Sequence, residues 1–423
     1  MSEQMNVPML RFDEFDQEWT SGSLATICNK IQDGNYGAEY PKSEELLEFG
    51  IPFLTSKALG GSGIINVSKI DYISKEKHAS LKKAQLQLND VLFTNRGSNV
   101  GVISYVDERI AHGNIGPQLT LLRANDLVTP KFLKAYLQTR LFQKQVASQD
   151  SGSAMNFFGI KTTSKFKVSV PQITEQQKIA SFLSKVDEKI GLLLEKKDKL
   201  TEYKRGVMQQ LFNGKWHEQD GQLTFIQPTL RFKADDGNEF PDWEEKKLGD
   251  FVEINSGYSP SKFEMKASGT PYFKVEQLNN SIKYQDQTQT PTYIEDFDKA
   301  VPAGSIIFPK RGASILLNKV RILVHNSFMD TNLMTLTVNS ELNNEFLFYF
   351  LVKEDLSKIA DTTSIPQINN KHINPYPLAL PALAEQIKIA NFLSAIDQKI
   401  DLANSELHKA KEWKKGLLQQ MFV

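Results

Sequence analysis

The chain has 423 residues, 40% of them apolar, enough for two or three globular units that each bury a core, and this argues against disorder. Fifty Lys and Arg balance 50 Asp and Glu, so the formal net charge is zero, which argues against a simple nucleic-acid coat held by many phosphate contacts. A single cysteine, Cys28, excludes an internal disulfide, and the six histidines show no zinc-type ligand spacing. No run of about 18 uninterrupted apolar residues is present, and the opening "MSEQMNVPMLRFDEF" lacks the apolar core of a signal peptide. The expectation is a cytoplasmic protein with no membrane segment and no metal.

In chain order, short apolar runs bounded by Gly, Asn and Ser predict strands: "DVLFT" from Asp90 and "VGVISYV" from Val100. "PKFLKAYLQTRLFQKQVA" from Pro130 has helical spacing. From Pro171 a long helix is predicted, with Ile179, Val186, Leu193, Leu200 and Val207 at every seventh residue, flanked by Phe182, Leu183, Ile190, Tyr203 and Leu211. "NGKWHEQDGQLTFIQP" from Asn213 reads as a polar connector. Further strands follow at "SIIFP" from Ser305 and "VRILV" from Val320. A second long helix opens at Pro381, carrying Ile389, Ile396, Ala403, Ala410 and Leu417 with Phe392, Leu393, Ile400, Leu407, Trp413 and Met421 alongside. A sustained seven-residue period is a coiled-coil seam.

The two long helices are the same sequence written twice. Residues 171–212 laid on 381–422, at a constant offset of 210 and without a gap, give 20 identities in 42 positions. The repeat reaches back into the preceding residues with shifting offsets. "PMLRF" at Pro8 returns as "PTLRF" at Pro228, Trp19 as Trp243, "GIPFLTSKAL" at Gly50 as "GTPYFKVEQL" at Gly269, "DVLFTNRGS" at Asp90 as "SIIFPKRGA" at Ser305, and "KFLKAYL" at Lys131 as "EFLFYFL" at Glu345. The chain is a tandem duplication of globular unit and long helix. Each helix has the other copy as its expected partner; a coiled coil between two identical chains is the alternative. The spacer residues are Ile179, Phe182, Val186, Ile190, Leu193, Leu200, Tyr203 and Val207, with Ile389, Phe392, Ile396, Ile400, Trp413 and Leu417 in the second copy.

The pattern P-x-x-x-E-Q-x-K-I-A-x-F-L-S-x-x-D-x-K-I opening each helix and G-x-x-Q-Q-x-F closing it, present twice in this order, resembles the specificity subunit of type I restriction-modification systems. The resemblance covers essentially the whole chain. It implies mixed α/β (α+β) target recognition domains in tandem over residues 1–170 and 228–380. Between and after them come conserved spacer helices over 171–213 and 381–423, with a linker at 214–227; the helices form an antiparallel intramolecular coiled coil with a pseudo-two-fold repeat. It further implies that each domain reads one half of a split, asymmetric site in double-stranded DNA, and that the helices fix the spacing and dock two methyltransferase subunits, on which restriction subunits assemble. The chain itself would have no catalytic residue and no cofactor; S-adenosylmethionine, ATP and Mg are expected in the partner subunits. The charge of the first helix, eight basic residues against six acidic over 171–212, suits a spacer better than a phosphate grip.

Candidate DNA contacts are the paired turns Arg96 with Gly97 and Arg311 with Gly312. Arginine can read guanine or clamp phosphate, and glycine lets backbone approach DNA closely. Their recurrence favours a common role such as phosphate contact; the alternative is an arginine bracing a strand turn through a carboxylate. The segment from Ser151 offers Asn156, Lys161 and Lys165 beside Phe157 and Phe158, and its counterpart from Thr362 offers Gln367, Asn370 and Lys371. Lys57, Lys274 and Lys310 are weaker candidates for phosphate contact.

Several strings imitate catalytic motifs. "NPYP" from Asn374 differs from an adenine-methyltransferase element at its third residue, the acids of "PDWEEK" from Pro241 are too close together for a metal site, and "GGSG" from Gly60 lacks the Lys-Ser/Thr ending of a nucleotide loop. The rival reading is a coiled-coil protein scaffold without DNA specificity, which the zero net charge supports.

Overall fold

The structure, a computed structural model, describes residues 6–59, 63–148, 157–219, 222–295, 299–361 and 365–423. "GGSG" from Gly60 and the start of the segment from Thr362 therefore fall partly outside the described residues, and Asn156 falls wholly outside them. The chain divides into two compact units, Met1–Leu194 with Ser405–Val423, and Glu195–Asn404.

In the first unit four antiparallel strands run in the order Cys28–Asp33, Leu119–Ala124, Val91–Thr94 and Ile103–Tyr105. Val91–Thr94 is buried throughout and paired on both edges, which is why it reads as an unbroken apolar run. A smaller sheet orders Asp71–Ile73, Ile51–Leu54 and Asn114–Ile115, and Thr20–Ser23 pairs with Lys167–Val170, the strand leading into the long helix. The stretch expected as one helix from Pro130 is two, Pro130–Leu137 and Arg140–Ser148. Thr139 separates them, its carbonyl accepting from Gln143 N–H at 3.0 Å and its Oγ1 accepting from Phe142 N–H at 3.3 Å.

The second unit repeats this plan. Its main sheet runs Val252–Ser256, Leu333–Val338, Ile306–Pro309, Arg321–Leu323 and Tyr284–Gln285, and Glu244–Lys247 pairs with Pro377–Leu380 ahead of the second long helix. The expected connector contains a β-hairpin, Lys215–Gln219 with Gln222–Ile226. Its signal is an Asp-Gly dipeptide followed by a run rich in β-formers, a short-range hairpin signature outweighed in the sequence by the polar content of the segment.

The long helices are Ile173–Leu211, 39 residues, and Leu383–Gln420, 38 residues. In each unit the beginning of one lies antiparallel to the end of the other and both complete the core of the sheet above. Ile179, Ala180, Leu183 and Val186 join Leu417, Met421 and Phe422 in the first core, and Ile389, Ala390, Leu393 and Ile396 join Val207, Met208 and Leu211 in the second. The Phe422 ring sits 5.9 Å from Trp19 and 5.4 Å from Phe132. One ion pair is made twice by equivalent residues, Lys414 to Asp187 at 2.6 Å and Lys204 to Asp397 at 2.6 Å. Partnering of one copy with the other is thus observed in both units.

The seam is narrower than the sequence predicts. Tyr203 and Trp413, expected beside it, are 54% and 48% exposed, and Leu193 and Leu200 are half-buried. A helix of 3.6 residues per turn drifts from a seven-residue spacing, so positions flanking the seam rotate outward along its length. Trp413 keeps an edge contact with Phe182, ring centroids 6.1 Å apart.

The Glu-Gln pair that opens each helix fastens it to its unit. Glu175 is 2% exposed; it accepts Arg11 Nε and Nη2 at 2.8 Å each, and Trp19 Nε1 at 3.4 Å. Glu385, fully buried, accepts Arg231 at 3.2 and 2.8 Å and Trp243 Nε1 at 3.1 Å. Gln176 accepts Thr129 N–H at 2.8 Å and donates to the Leu127 and Pro171 carbonyls, and Gln386 does the same with Asn343, Glu341 and Pro381. Among the described residues no helix is long and apolar enough to cross a membrane.

Two outcomes follow from this packing. Glu385→Ala leaves the Arg231 guanidinium and the Trp243 indole N–H without their partner, and the expected loss is about 3–5 kcal/mol, read as a lower urea midpoint; a change under about 1 kcal/mol would contradict the arrangement. Burial pushes the Cys28 thiol up to about 12. Since the thiolate is the nucleophile, at pH 8 an alkylating reagent should label Cys28 readily only in denaturant; equal rates in native and unfolded protein would contradict its placement.

Candidate nucleic-acid interface

Both Arg-Gly turns follow a buried central strand of the main sheet, Val91–Thr94 in one unit and Ile306–Pro309 in the other. The glycines take left-handed φ values, 88° at Gly97 and 80° at Gly312. A Cβ at either would meet nothing within 4 Å, so backbone conformation and not crowding selects glycine here. The open space leaves each turn accessible to a ligand.

The turns are fixed from below. In the first unit the Asp33 carboxylate accepts Asn95 Nδ2 at 3.0 Å and Thr120 Oγ1 at 2.5 Å. Burial raises the Asp33 pKa, against those hydrogen bonds and the charge of Arg96. In the second unit Lys310 takes the place of Asn95 and donates to Ser256 Oγ at 2.8 Å. Burial, then the neighbouring Arg311, lower its pKa, while Asp330 opposes them. The Asp330 pKa is itself raised by burial, with Lys274 among the groups that oppose the shift. Lys274 and Lys310 therefore share one carboxylate as electrostatic neighbour. Asp33 and Asp330 carry no local sequence signal; only the folded sheet puts them beneath the turns.

The two sets of candidates, far apart in sequence, come together in both units. Arg96 forms an antiparallel bridge with Phe157, and Arg311 with Gln367. Each turn is thus paired with the residues that lead into a short helix ahead of the long-helix strand, Ile160–Thr163 or Asn370–Ile373. Lys161 and Lys371, 210 residues apart, occupy equivalent exposed places on these helices, Lys371 lying 3.4 Å from Asp361. Asn370, which opens the second of them, is exposed. Lys165 is exposed beyond its helix and has no basic counterpart, since Pro375 stands at that place. Lys57 is exposed on the short helix Ser56–Leu59, 3.7 Å from Asp71.

Among the described residues neither Arg96 nor Arg311 makes an ion pair. Arg96 instead lies over the Phe157 ring, 4.2 Å from its centroid, with its Nε buried and without a hydrogen-bond partner. No group of three or more His, Cys, Asp or Glu able to hold a metal ion occurs among the described residues.

If both turns hold phosphate, Arg96→Ala and Arg311→Ala should each weaken binding to every duplex and lower the salt dependence, log affinity against log salt, by about one unit. An unchanged slope in both variants would remove the arginines from the interface.

Residues 16–202 and 241–412 match the family described as the type I restriction modification DNA specificity domain. Over 431 aligned residues the chain is 25% identical to a putative type I restriction enzyme MjaX specificity subunit of Methanocaldococcus jannaschii, covering 99% of this chain and 96% of that protein. It is also 25% identical to the MjaVIII specificity subunit of the same organism, covering 90% and 87%. Its fold is similar to the crystal structure of a type I restriction-modification S subunit from M. genitalium, with TM-score 0.58, 17% identity and 99% of each chain covered. A chain from a type I R-M system whose assembly and conformational transition were described structurally gives TM-score 0.56 at 15% identity, covering 96% and 97%.

Proposed function

The chain belongs to the type I restriction modification DNA specificity family, and on that premise we propose that it is the DNA-recognition subunit of a type I restriction-modification complex whose two units each read one half of a split, asymmetric site in double-stranded DNA. The target recognition domains are residues 1–170 and 228–380, the spacer helices 171–213 and 381–423, and the linker 214–227. The observation that carries the reading is the doubled turn: an arginine without an ion pair among the described residues, followed by a left-handed glycine and bridged to the equivalent residue, Phe157 or Gln367, in both units.

On this reading Arg96, Gly97, Arg311, Gly312, Lys161 and Lys371 supply contacts common to both halves, chiefly to phosphate. Lys274, Lys310, Asn370 and Lys165 add contacts particular to one half, and Lys57 is the most peripheral. A 39-residue helix is about 58 Å long, more than the roughly 34–36 Å of one DNA turn, so the helices suffice to set the gap between half-sites. They also dock two methyltransferase subunits, with restriction subunits assembling on that core in the cytoplasm. The chain contributes recognition and no bond-making step; S-adenosylmethionine, ATP and Mg act in its partners.

The test is co-purification with a methyltransferase subunit, followed by mapping of methylated adenines in DNA exposed to the complex. One bipartite motif is expected, one half changing when residues 8–170 are exchanged for those of a relative and the other half when residues 228–380 are exchanged. A stable chain that recruits no methyltransferase and leaves DNA unmodified would transfer the weight to a protein scaffold.

A further inference from the structure

The two Arg-Gly turns share a backbone arrangement but not the residue laid across it. Phe157 bridges Arg96 and Gln367 bridges Arg311, at the 210-residue offset of the long-helix repeat. The residue after each is a buried anchor, Phe158 at 3% exposure and Ile368 at 0%. Each anchor donates its N–H to the residue before the arginine, Phe158 to the Asn95 carbonyl and Ile368 to the Lys310 carbonyl, both at 2.9 Å. Positions 157 and 367 are therefore one position of the fold, presented twice by the same hydrogen bond.

A group present in both halves suits a contact that ignores sequence, because the two halves of an asymmetric site carry different bases. A side chain that differs at a position so closely matched, and has unused binding capacity, suits the opposite role. Gln367 is half-buried, and its side-chain amide makes no hydrogen bond among the described residues. Phe157 is 53% exposed and is held from one side by the Arg96 guanidinium. A glutamine amide matches the N6 donor and N7 acceptor of adenine with two parallel hydrogen bonds, whereas a phenyl ring can only meet apolar surface, which in the major groove means the thymine methyl group.

We propose that positions 157 and 367 are the specificity-determining residues beside the two Arg-Gly turns, Gln367 reading an adenine in the half-site of the second unit and Phe157 packing on a thymine methyl in that of the first. This rests on the turns being DNA contacts, and adds which neighbouring side chain reads a base and which base it reads.

The experiment uses the full chain in complex with its methyltransferase, with motif mapping and methylation rates on duplexes substituted one position at a time. Gln367→Leu should lower the preference for adenine at one position of one half-site by about ten- to a hundredfold. Gln367→Glu, nearly the same size and so the control for folding, should turn that position towards cytosine, whose N4 amine donates to a carboxylate. Phe157→Gln should erase the preference for thymine over cytosine at one position of the other half-site. The inference is overturned if Gln367→Glu and Phe157→Gln methylate the wild-type motif with unchanged base preference while the domain exchanges still move half-sites. A wild-type complex that methylates no motif overturns both this inference and the function beneath it.

Discussion

A buried carboxylate at the start of each long helix is the joint on which the rest of the molecule depends. Glu175 and Glu385 are removed from water almost completely, at a cost that only simultaneous satisfaction by guanidinium and indole offsets. Arg11 and Trp19 come from the start of one unit and Arg231 and Trp243 from the start of the other, so each clasp draws the first strand of a unit onto its helix. The adjoining glutamine does the same for the residue that opens a helix packed on the sheet, Thr129 ahead of Pro130–Leu137 in one unit and Asn343 ahead of Asn344–Glu354 in the other. With the strand pairs Thr20–Ser23 to Lys167–Val170 and Glu244–Lys247 to Pro377–Leu380, these contacts fix the sheet, and hence its Arg-Gly turn, relative to the opening of its own helix.

Much of this was legible in the sequence because the chain repeats itself. The 42-residue match marks the helices and their shared partner, and the weaker repeat ahead of it marks the equivalence of Arg96 with Arg311. The meeting of Arg96 with Phe157 was not legible, since it depends on a strand crossing that joins segments sixty residues apart, and no local pattern encodes such a crossing. Asp33 illustrates the same limit: an acid at a strand end looks like any solvated acid until the fold buries it against Thr120. The outward position of Tyr203 and Trp413 was missed because large residues near a seven-residue ladder satisfy the pattern whether or not the helix turns them inward. The hairpin after the first helix was missed because polar content outweighed its turn dipeptide.

The neutral overall charge becomes intelligible once the pairing of charges is known. Lysines and acids along the helices compensate one another, as in Lys204 with Asp397 and Lys414 with Asp187, and contribute little to the field beyond a Debye length. Arg96 and Arg311 make no ion pair among the described residues. A net charge of zero thus conceals two localised positive points, which is what a protein requires if affinity is to arise only where a particular surface meets its ligand and not along every polyanion it encounters.

The segment Ser405–Val423 belongs to the first unit, although the whole of Glu195–Asn404 separates it from the rest of that unit. Leu417, Met421 and Phe422 fill the first unit's core beneath Trp19 and Phe132. During synthesis on the ribosome the N-terminal residues emerge first, yet their core stays open until the second long helix has been translated. The second unit draws on one uninterrupted stretch of chain and needs the last helix only as far as Asn404. Order of translation and order of completion are therefore reversed, and a nascent chain that has not yet reached Leu417 leaves the Trp19 and Phe132 rings without the Phe422 ring that packs on them.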